Sequence, residues 1–332
     1  MWATFESREA VPHMRKIQGI LAAATVAALA LAGCSDPDSS GGGAQSQSGS
    51  GTAQSGASSA TGDVTPFDVS QLSTVDSVAA LVPQKVKDRG VLRNGASTDY
   101  APGEYRASDG QTPVGYDVDM VKALAKVMGL KEGTTTHAEF PTIIPALGTK
   151  FDIGASSFTI TAEREGQVNM VSYVQVGSAY AVAEGNPKKF DPTNPCGTTI
   201  GVQNGTYQQT YAEDLSKKCQ DQGKNAIQVM PLDLQTDVST KVIGGQYDAT
   251  LADSTVIGYT VTLAKGKLEQ LGDTIESAPQ GVAIAKDDTQ LAKAVQAGLQ
   301  YLMDKGYLTK ILGAYGSQDA ALTTAELNPK IS

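Results

Sequence analysis

Between Ser35 and Asp63 the chain offers almost nothing to bury. The stretch is Ser, Gly, Ala and Gln with a few Thr and Asp, and apart from Pro37 no apolar residue larger than Ala occurs in it. Ordering a residue costs about 1–2 kcal/mol of backbone entropy, which only apolar burial can offset. A tract of this composition builds no core and is expected to behave as a flexible coil. Its end-to-end distance is roughly 30 Å, from ~5–6 Å times the square root of about 30 residues. Any folded body must therefore lie beyond it.

What precedes the tract reads as a secretory signal. Met14-Arg15-Lys16 supplies two cations, Ile17 to Ala32 is a mostly apolar run, and small residues lead to Cys34. The run falls short of the about 20 apolar residues that a permanent membrane helix needs. Leu31-Ala32-Gly33-Cys34 resembles a bacterial lipobox. The resemblance implies that Cys34 is lipidated and becomes the first residue of the mature chain. The alternative is a plain secretory signal with a chance cysteine. The residues before Met14, including Trp2 and His13, fit no signal pattern, so the natural start is expected at Met14. The expected order is thus a signal over 1–33 and a lipid-bearing tether over 34–75, holding a folded body off the outer face of a membrane.

Of 332 residues, roughly 260 remain to fold, enough for one large domain or two lobes. Charged residues make up 18% of the chain and the formal net charge is −9. No stripe of Lys and Arg interrupts that acidity, which argues against nucleic acid as a partner. Cys196 and Cys219 are left as an even pair in an oxidising compartment, and a disulfide is the expectation. Two free thiols or half of a zinc site are the alternatives. His13 and His137 do not accompany any Cys-x-x-Cys pattern, which disfavours zinc. No other metal and no cofactor is expected.

From about residue 84 strand and helix patterns alternate. Strands are expected at 90–96, 151–155, 199–203, 226–230, 247–251 and 281–285. Helices are expected at 117–130, 143–147, 208–218, 234–243, 289–305 and 308–315. Val121, Leu124, Ala125 and Met128 recur at helical spacing, as do Leu291, Val295, Leu299 and Leu302. Such alternation predicts an α/β fold with mostly parallel sheets. In those sheets ligands sit outside the carboxyl ends of the strands. The turns found there are polar: Ser97-Thr98-Asp99, Ser156-Ser157, Asn204-Gly205-Thr206 and Ala252-Asp253-Ser254.

The turn after the strand at 151–155 holds four hydroxyls and an arginine, Ser156, Ser157, Thr159, Thr161 and Arg164. Hydroxyls and backbone amides there can accept a small anion, and a guanidinium matches a carboxylate with two prongs. A Ser/Thr helix cap with a solvated arginine would look the same. Ser157-Phe158-Thr159-Ile160-Thr161-Ala162-Glu163-Arg164 resembles the Ser/Gly-x-Thr/Ser-x-Thr-x-x-Arg pattern of the polar amino-acid family of bacterial solute-binding proteins, the receptors of ABC importers. Four more stretches resemble that family in the same order. They are Gly115-Tyr116-Asp117-Val118-Asp119, Ile144-Pro145-Ala146-Leu147, Gly201-Val202-Gln203-Asn204-Gly205-Thr206 and Asp248-Ala249-Thr250-Leu251-Ala252-Asp253.

The resemblance implies a two-lobed periplasmic-binding-protein-like fold of type II, each lobe a mainly parallel sheet flanked by helices, joined by a two-strand hinge. Lobe 1 would comprise 84–180 and 279–315, lobe 2 would comprise 185–275, and 316–332 would be a tail. The hinge strands would cross near Ala179–Ala183 and Gly281–Ala285. Arg164 would hold a ligand carboxylate with Thr159 and groups near Ser156 and Ser157, and Asp253 would accept an ammonium from the other lobe. Tyr100 and Phe140 would flank the ligand, with Thr206 and Tyr207 beside its carboxylate.

An amino-acid zwitterion asks for one fixed cation and one fixed anion. Dividing them between lobes ties ligand binding to closure. The expected protein is a lipid-anchored receptor that passes a polar amino acid, glutamine or glutamate, to an ABC permease and its ATPase. An amino-acid sensor and a dehydratase-like enzyme are the alternatives. Glu104 and Asp99 are the candidate bases for the enzyme, but no nucleophile motif accompanies them.

Overall fold

A computed structural model describes residues 64–331, so the secretory signal, Cys34 and the tract to Asp63 lie outside the described residues. In chain order the strands are β1 (Val91–Ala96), β2 (Asp99–Tyr100), β3 (Glu104–Arg106), β4 (Pro113–Val114), β5 (Glu132–His137), β6 (Ile153–Gly154), β7 (Val168–Ala183), β8 (Thr199–Gln203), β9 (Gln228–Leu232), β10 (Ala249–Asp253) and β11 (Leu268–Ala285). The helices are α1 (Asp76–Leu81), α2 (Gln84–Arg89), α3 (Tyr116–Val127), α4 (Phe140–Ile143), α5 (Ala162–Gln167), α6 (Tyr207–Asp221), α7 (Gln235–Ile243), α8 (Ser254–Leu263), α9 (Thr289–Asp304) and α10 (Tyr307–Gly313).

Eight strands follow the order β5-β1-β6-β11-β7-β10-β8-β9, and β2, β3 and β4 form a small separate sheet. At one end β5, β1 and β6 run parallel, and at the other β10, β8 and β9 do the same. These triplets are the two lobes. Between them β7 and β11 run antiparallel to one another and to β6 and β10, so the sheet is mixed where a mostly parallel one was expected. Only Gln175 of β7 is exposed. A strand covered on both faces shows no alternation to mark it, and only the family resemblance pointed to strand, over its last five residues.

The two long strands belong to both lobes. β7 pairs with β11 at Leu268 to Leu271 in lobe 2 and at Ala278 to Ala285 in lobe 1, with register shifts between. The crossing therefore lies at Gly177 and around 271–278. The resemblance implied a place a few residues later in each strand; a break in register, which no local pattern marks, defines it. At Gly177 a Cβ would sit 2.3 Å from Thr274 Cγ2, so only glycine permits the approach.

Lobe 1 packs its sheet against α3, α9 and α10 in one core that includes Leu92, Met120, Leu124, Val171, Leu299 and Ile311. Both expected helical stripes are buried in it. In lobe 2 Ile200, Val202, Ala212, Ala249 and Leu251 cluster with Cys219, which is bonded to Cys196 across a sequence separation of 23. Closing that loop removes about 3 kcal/mol of unfolded-state entropy.

Two stretches assigned to linker and tail are built into lobe 1. The expected tether ran to residue 75, yet Val64, Phe67 and Val69 pack against the core and Leu72 is buried. The Phe67 amide donates to Asp119 Oδ2 at 3.1 Å. Bulky apolar side chains end the tether as soon as they appear. At the other terminus, β10 covers β7 only from Ser178 onward, which leaves a bare edge below. Residues 321–328 cover it: Ser172 N–H donates to Glu326 O at 2.9 Å, Leu322 N–H to Tyr173 O at 3.0 Å and Asn328 N–H to Met170 O at 2.7 Å. Capping an open strand removes a template for aggregation. Truncation after Gly316 should cost about 3 kcal/mol, about 1 for each bond lost, and lower the melting temperature by about 6–12 °C. Calorimetry with light scattering checks this; an unchanged melting temperature in a monodisperse sample refutes it.

Candidate functional site

The carboxyl ends of the lobe strands face one another, and the polar turns meet there. β6 leads through Ala155 into Ser156-Ser157, then to α5. Thr161 caps α5 by accepting the Arg164 N–H at 3.2 Å, so the hydroxyl is a helix cap, as the plainer reading held. The cap sets Arg164 in the first turn, and its side chain turns back toward the cleft. Nη1 donates to Thr159 O at 2.7 Å and Nη2 crosses to Gly205 O of lobe 2 at 3.0 Å. The guanidinium lies 5.5 Å from the Phe140 ring centroid and 5.4 Å from that of Phe158, two rings stacked at 4.5 Å. Removal from water pulls the Arg164 pKa down to about 10, against the opposing pull of Asp253, so it remains a cation at neutral pH.

Asp253 ends β10, a strand paired on both edges by β7 and β8. The residue is buried, 4% exposed. Oδ1 accepts Gln208 Nε2 at 2.8 Å and Oδ2 accepts Gln280 Nε2 at 2.7 Å. Its own amide donates to Tyr100 Oη of lobe 1 at 3.1 Å. Burial pushes the pKa up to about 6, and the two glutamine amides partly hold it down.

Tyr100, Phe140, Ser157, Thr159, Arg164, Thr206, Tyr207 and Asp253, all expected from sequence, line one cavity with Gln203 and Gln208. Its water-accessible space is about 10 Å³, about one water molecule. Phe140, Arg164, Thr206 and Tyr207 also line a groove of about 610 Å³ that opens to the outside. Thr206 caps α6, accepting the Gln209 amide at 3.2 Å, and Tyr207 Oη donates to Glu276 Oε2 at 3.1 Å.

Ser156 stands one layer back. Its hydroxyl donates to Glu104 Oε1 at 2.6 Å and accepts the Ser97 amide at 3.0 Å. Ser157 has φ of 50°, and its amide donates to Asp117 Oδ2 at 2.8 Å while its hydroxyl donates to Glu104 Oε2 at 3.0 Å. Glu104 and Asp117 thus lock the turn from behind, and burial raises the pKa of both, Asp117 to about 6. Gly115 lets the chain reach this layer: its φ is 128°, and a Cβ would sit 2.1 Å from Gly103 O. Sequence reading missed Gln208 and Gln280, because a glutamine on a helix or strand carries no signal until its partner is known. Among the described residues no group of three or more His, Cys, Asp or Glu is placed to hold a metal.

Residues 92–318 match the model of the bacterial extracellular solute-binding proteins, family 3. The chain is 34% identical over 257 residues to the arginine-binding protein ArgT of Corynebacterium glutamicum, covering 76% of this chain and 83% of that protein. It is 29% identical over 227 residues to the ABC transporter arginine-binding protein 1 of Escherichia coli, covering 65% of this chain and 87% of that protein. Among solved structures, an ancestral arginine-binding protein bound to arginine superposes with a TM-score of 0.62 at 28% identity, covering 69% of this chain and 99% of that one.

The Asp253 environment fixes a pH signature. The folded carboxyl holds its proton more tightly than the unfolded one, about 6 against an ordinary 3.8. Its contribution to stability is fully present below about pH 4 and is lost as pH rises through about 6. Asp253→Asn should therefore raise the melting temperature at pH 7, and the gain should vanish by pH 4. Differential scanning calorimetry at both pH values checks this; a lower melting temperature at pH 7 refutes it.

Proposed function

The chain belongs to the bacterial extracellular solute-binding proteins of family 3, and from that footing we propose that it is the receptor of an amino-acid importer, anchored by a lipid on Cys34 and closing around a cationic amino acid. The observation that carries the reading is that Arg164 of lobe 1 and Asp253 of lobe 2 line one cavity at the seam of the lobes. A zwitterion supplies the complement of each: its carboxylate to Arg164 and the amides near Ser157 and Thr206, its ammonium to Asp253. Closure on the ligand prepares the form that a permease and its ATPase accept.

Arginine ranks ahead of the glutamine or glutamate expected from sequence. The named relatives support it, and so does the local charge. Asp99, Glu104 and Asp117 stand in lobe 1 behind the cavity, and none forms a salt bridge with any described residue. Each of them that is ionised favours an added positive charge over an added negative one. Glu104 and Asp99 are engaged with hydroxyls and amides and do not line the cavity, which supports a receptor over a dehydratase.

A thermal-shift screen of the twenty amino acids tests the reading. A ligand at 100 times its Kd adds about 2.7 kcal/mol, a shift of about 5–10 °C. Arginine should give it, and no shift from any amino acid would sink the proposal. Arg164→Ala should weaken arginine binding by about 100-fold or more by calorimetry while the fold persists, because an ionic hydrogen-bonding partner is lost. Cys34→Ala should release the protein from the membrane fraction into the medium; a protein that stays with the membrane contradicts lipidation.

A further inference from the structure

Asp99 belongs to lobe 1, yet its carboxylate is held largely by lobe 2. Oδ2 accepts the Gln235 backbone N–H at 2.6 Å. Oδ1 accepts Gln203 Nε2 at 3.3 Å, together with the Ser97 hydroxyl of its own lobe at 3.0 Å. Gln203 Nε2 also reaches Ser97 Oγ at 3.1 Å and Asp233 O at 2.9 Å. Gln235 is the first residue of α7, and Leu234, in the capping position, provides no side-chain acceptor. The first amides of a helix lack internal partners and carry the positive end of its dipole. In α7 the acceptor that satisfies them is supplied by the opposite lobe.

We propose that Asp99 is a helix cap acting between lobes, a latch that holds lobe 2 closed from outside the ligand cavity. α7 is capped by protein only while the lobes touch. On opening, both the Asp99 carboxylate and the Gln235 amide return to water. Asp99 does not line the cavity, so it is a positioning residue whose effect falls on the open–closed equilibrium. A latch of this kind slows ligand escape. By favouring closure in the absence of ligand it lowers entry only by the fraction of molecules held shut, at most about two-fold while half or more stay open. Loss of a helix cap shifts an equilibrium by about two- to thirty-fold, and the carboxylate places Asp99 in the upper part of that range.

The inference rests on the proposed receptor reading, and its test separates the two. Asp99→Ala, Asp99→Asn and Gln235→Pro are made singly, and Asp99→Ala is combined with Gln235→Pro, all in the full mature chain. Proline is tolerated at the first position of a helix and removes the N–H that Asp99 accepts. It also removes the Gln235 side chain, which donates to Thr250 Oγ1 at 3.0 Å, so the comparison is a double-mutant cycle. Stopped-flow binding of L-arginine should show koff raised about five- to thirty-fold by Asp99→Ala, with kon within about two-fold of the parent. Asp99→Asn, whose amide oxygen still accepts, should recover part of the loss. In the Gln235→Pro background Asp99→Ala should add little. Fully additive effects, or a change confined to kon, overturn the latch. The lobe-to-lobe distance of the ligand-free protein, measured between paired spin labels, should lengthen in Asp99→Ala. An unchanged distribution overturns the latch whatever the ligand is. A lengthened one in a protein that binds no amino acid upholds the latch and refutes the receptor reading.

Discussion

Opposite charges on separate lobes, one buried and one half-buried, govern this molecule. Arg164 and Asp253 line one cavity too small for more than about one water molecule; Asp253 relies on fixed dipoles for solvation, whereas the half-buried Arg164 also reaches the open groove. Two glutamine amides hold the carboxylate, and two backbone carbonyls hold the guanidinium. These neutral partners compensate only in part, and the upward pKa of Asp253 records the remainder. A site that stays costly in the folded protein favours anything bringing the missing charges.

The scaffold explains how such a site is held. Asp253 ends a strand paired on both edges, and Arg164 lies in a capped first turn. Behind the Ser156–Ser157 turn, Glu104 and Asp117 accept its hydroxyls and amide, and Gly115 lets the chain come close enough to place them. The lobes meet through β7 and β11, whose register breaks around Gly177, a position with no room for a side chain. A register break between two rigid, separately cored lobes is where bending costs least, because few ladder bonds must change there.

Contacts across the cleft fall into two sets. Arg164 to Gly205 and Asp253 to Tyr100 lie at the cavity. Asp99 to Gln203 and Gln235 lies beyond it, at the start of α7. The first set answers to whatever occupies the cavity. The second depends on whether the lobes touch, so it sets residence time, and affinity with it, without altering the contacts made to the ligand.

The sequence by itself determined whatever depends on local pattern. The buried stripes of α3 and α9 were legible from spacing within a few residues, and Cys196 with Cys219 as the even pair left over; Tyr100, Phe140, Ser157, Thr159, Arg164, Thr206, Tyr207 and Asp253, which line one cavity, were picked out only through resemblance to a family. Tertiary structure decided the rest. The antiparallel course of β7 and β11 was hidden because a strand buried on both faces loses its alternation. The closing segment at 321–328 and the docking of Phe67 depend on an edge and a carboxylate more than a hundred and about fifty residues away, respectively. Gln208, Gln280 and Asp99 acquire their roles only from partners on other elements. A polar side chain has no preferred neighbour until folding supplies one, whereas an apolar stripe has only one place to go.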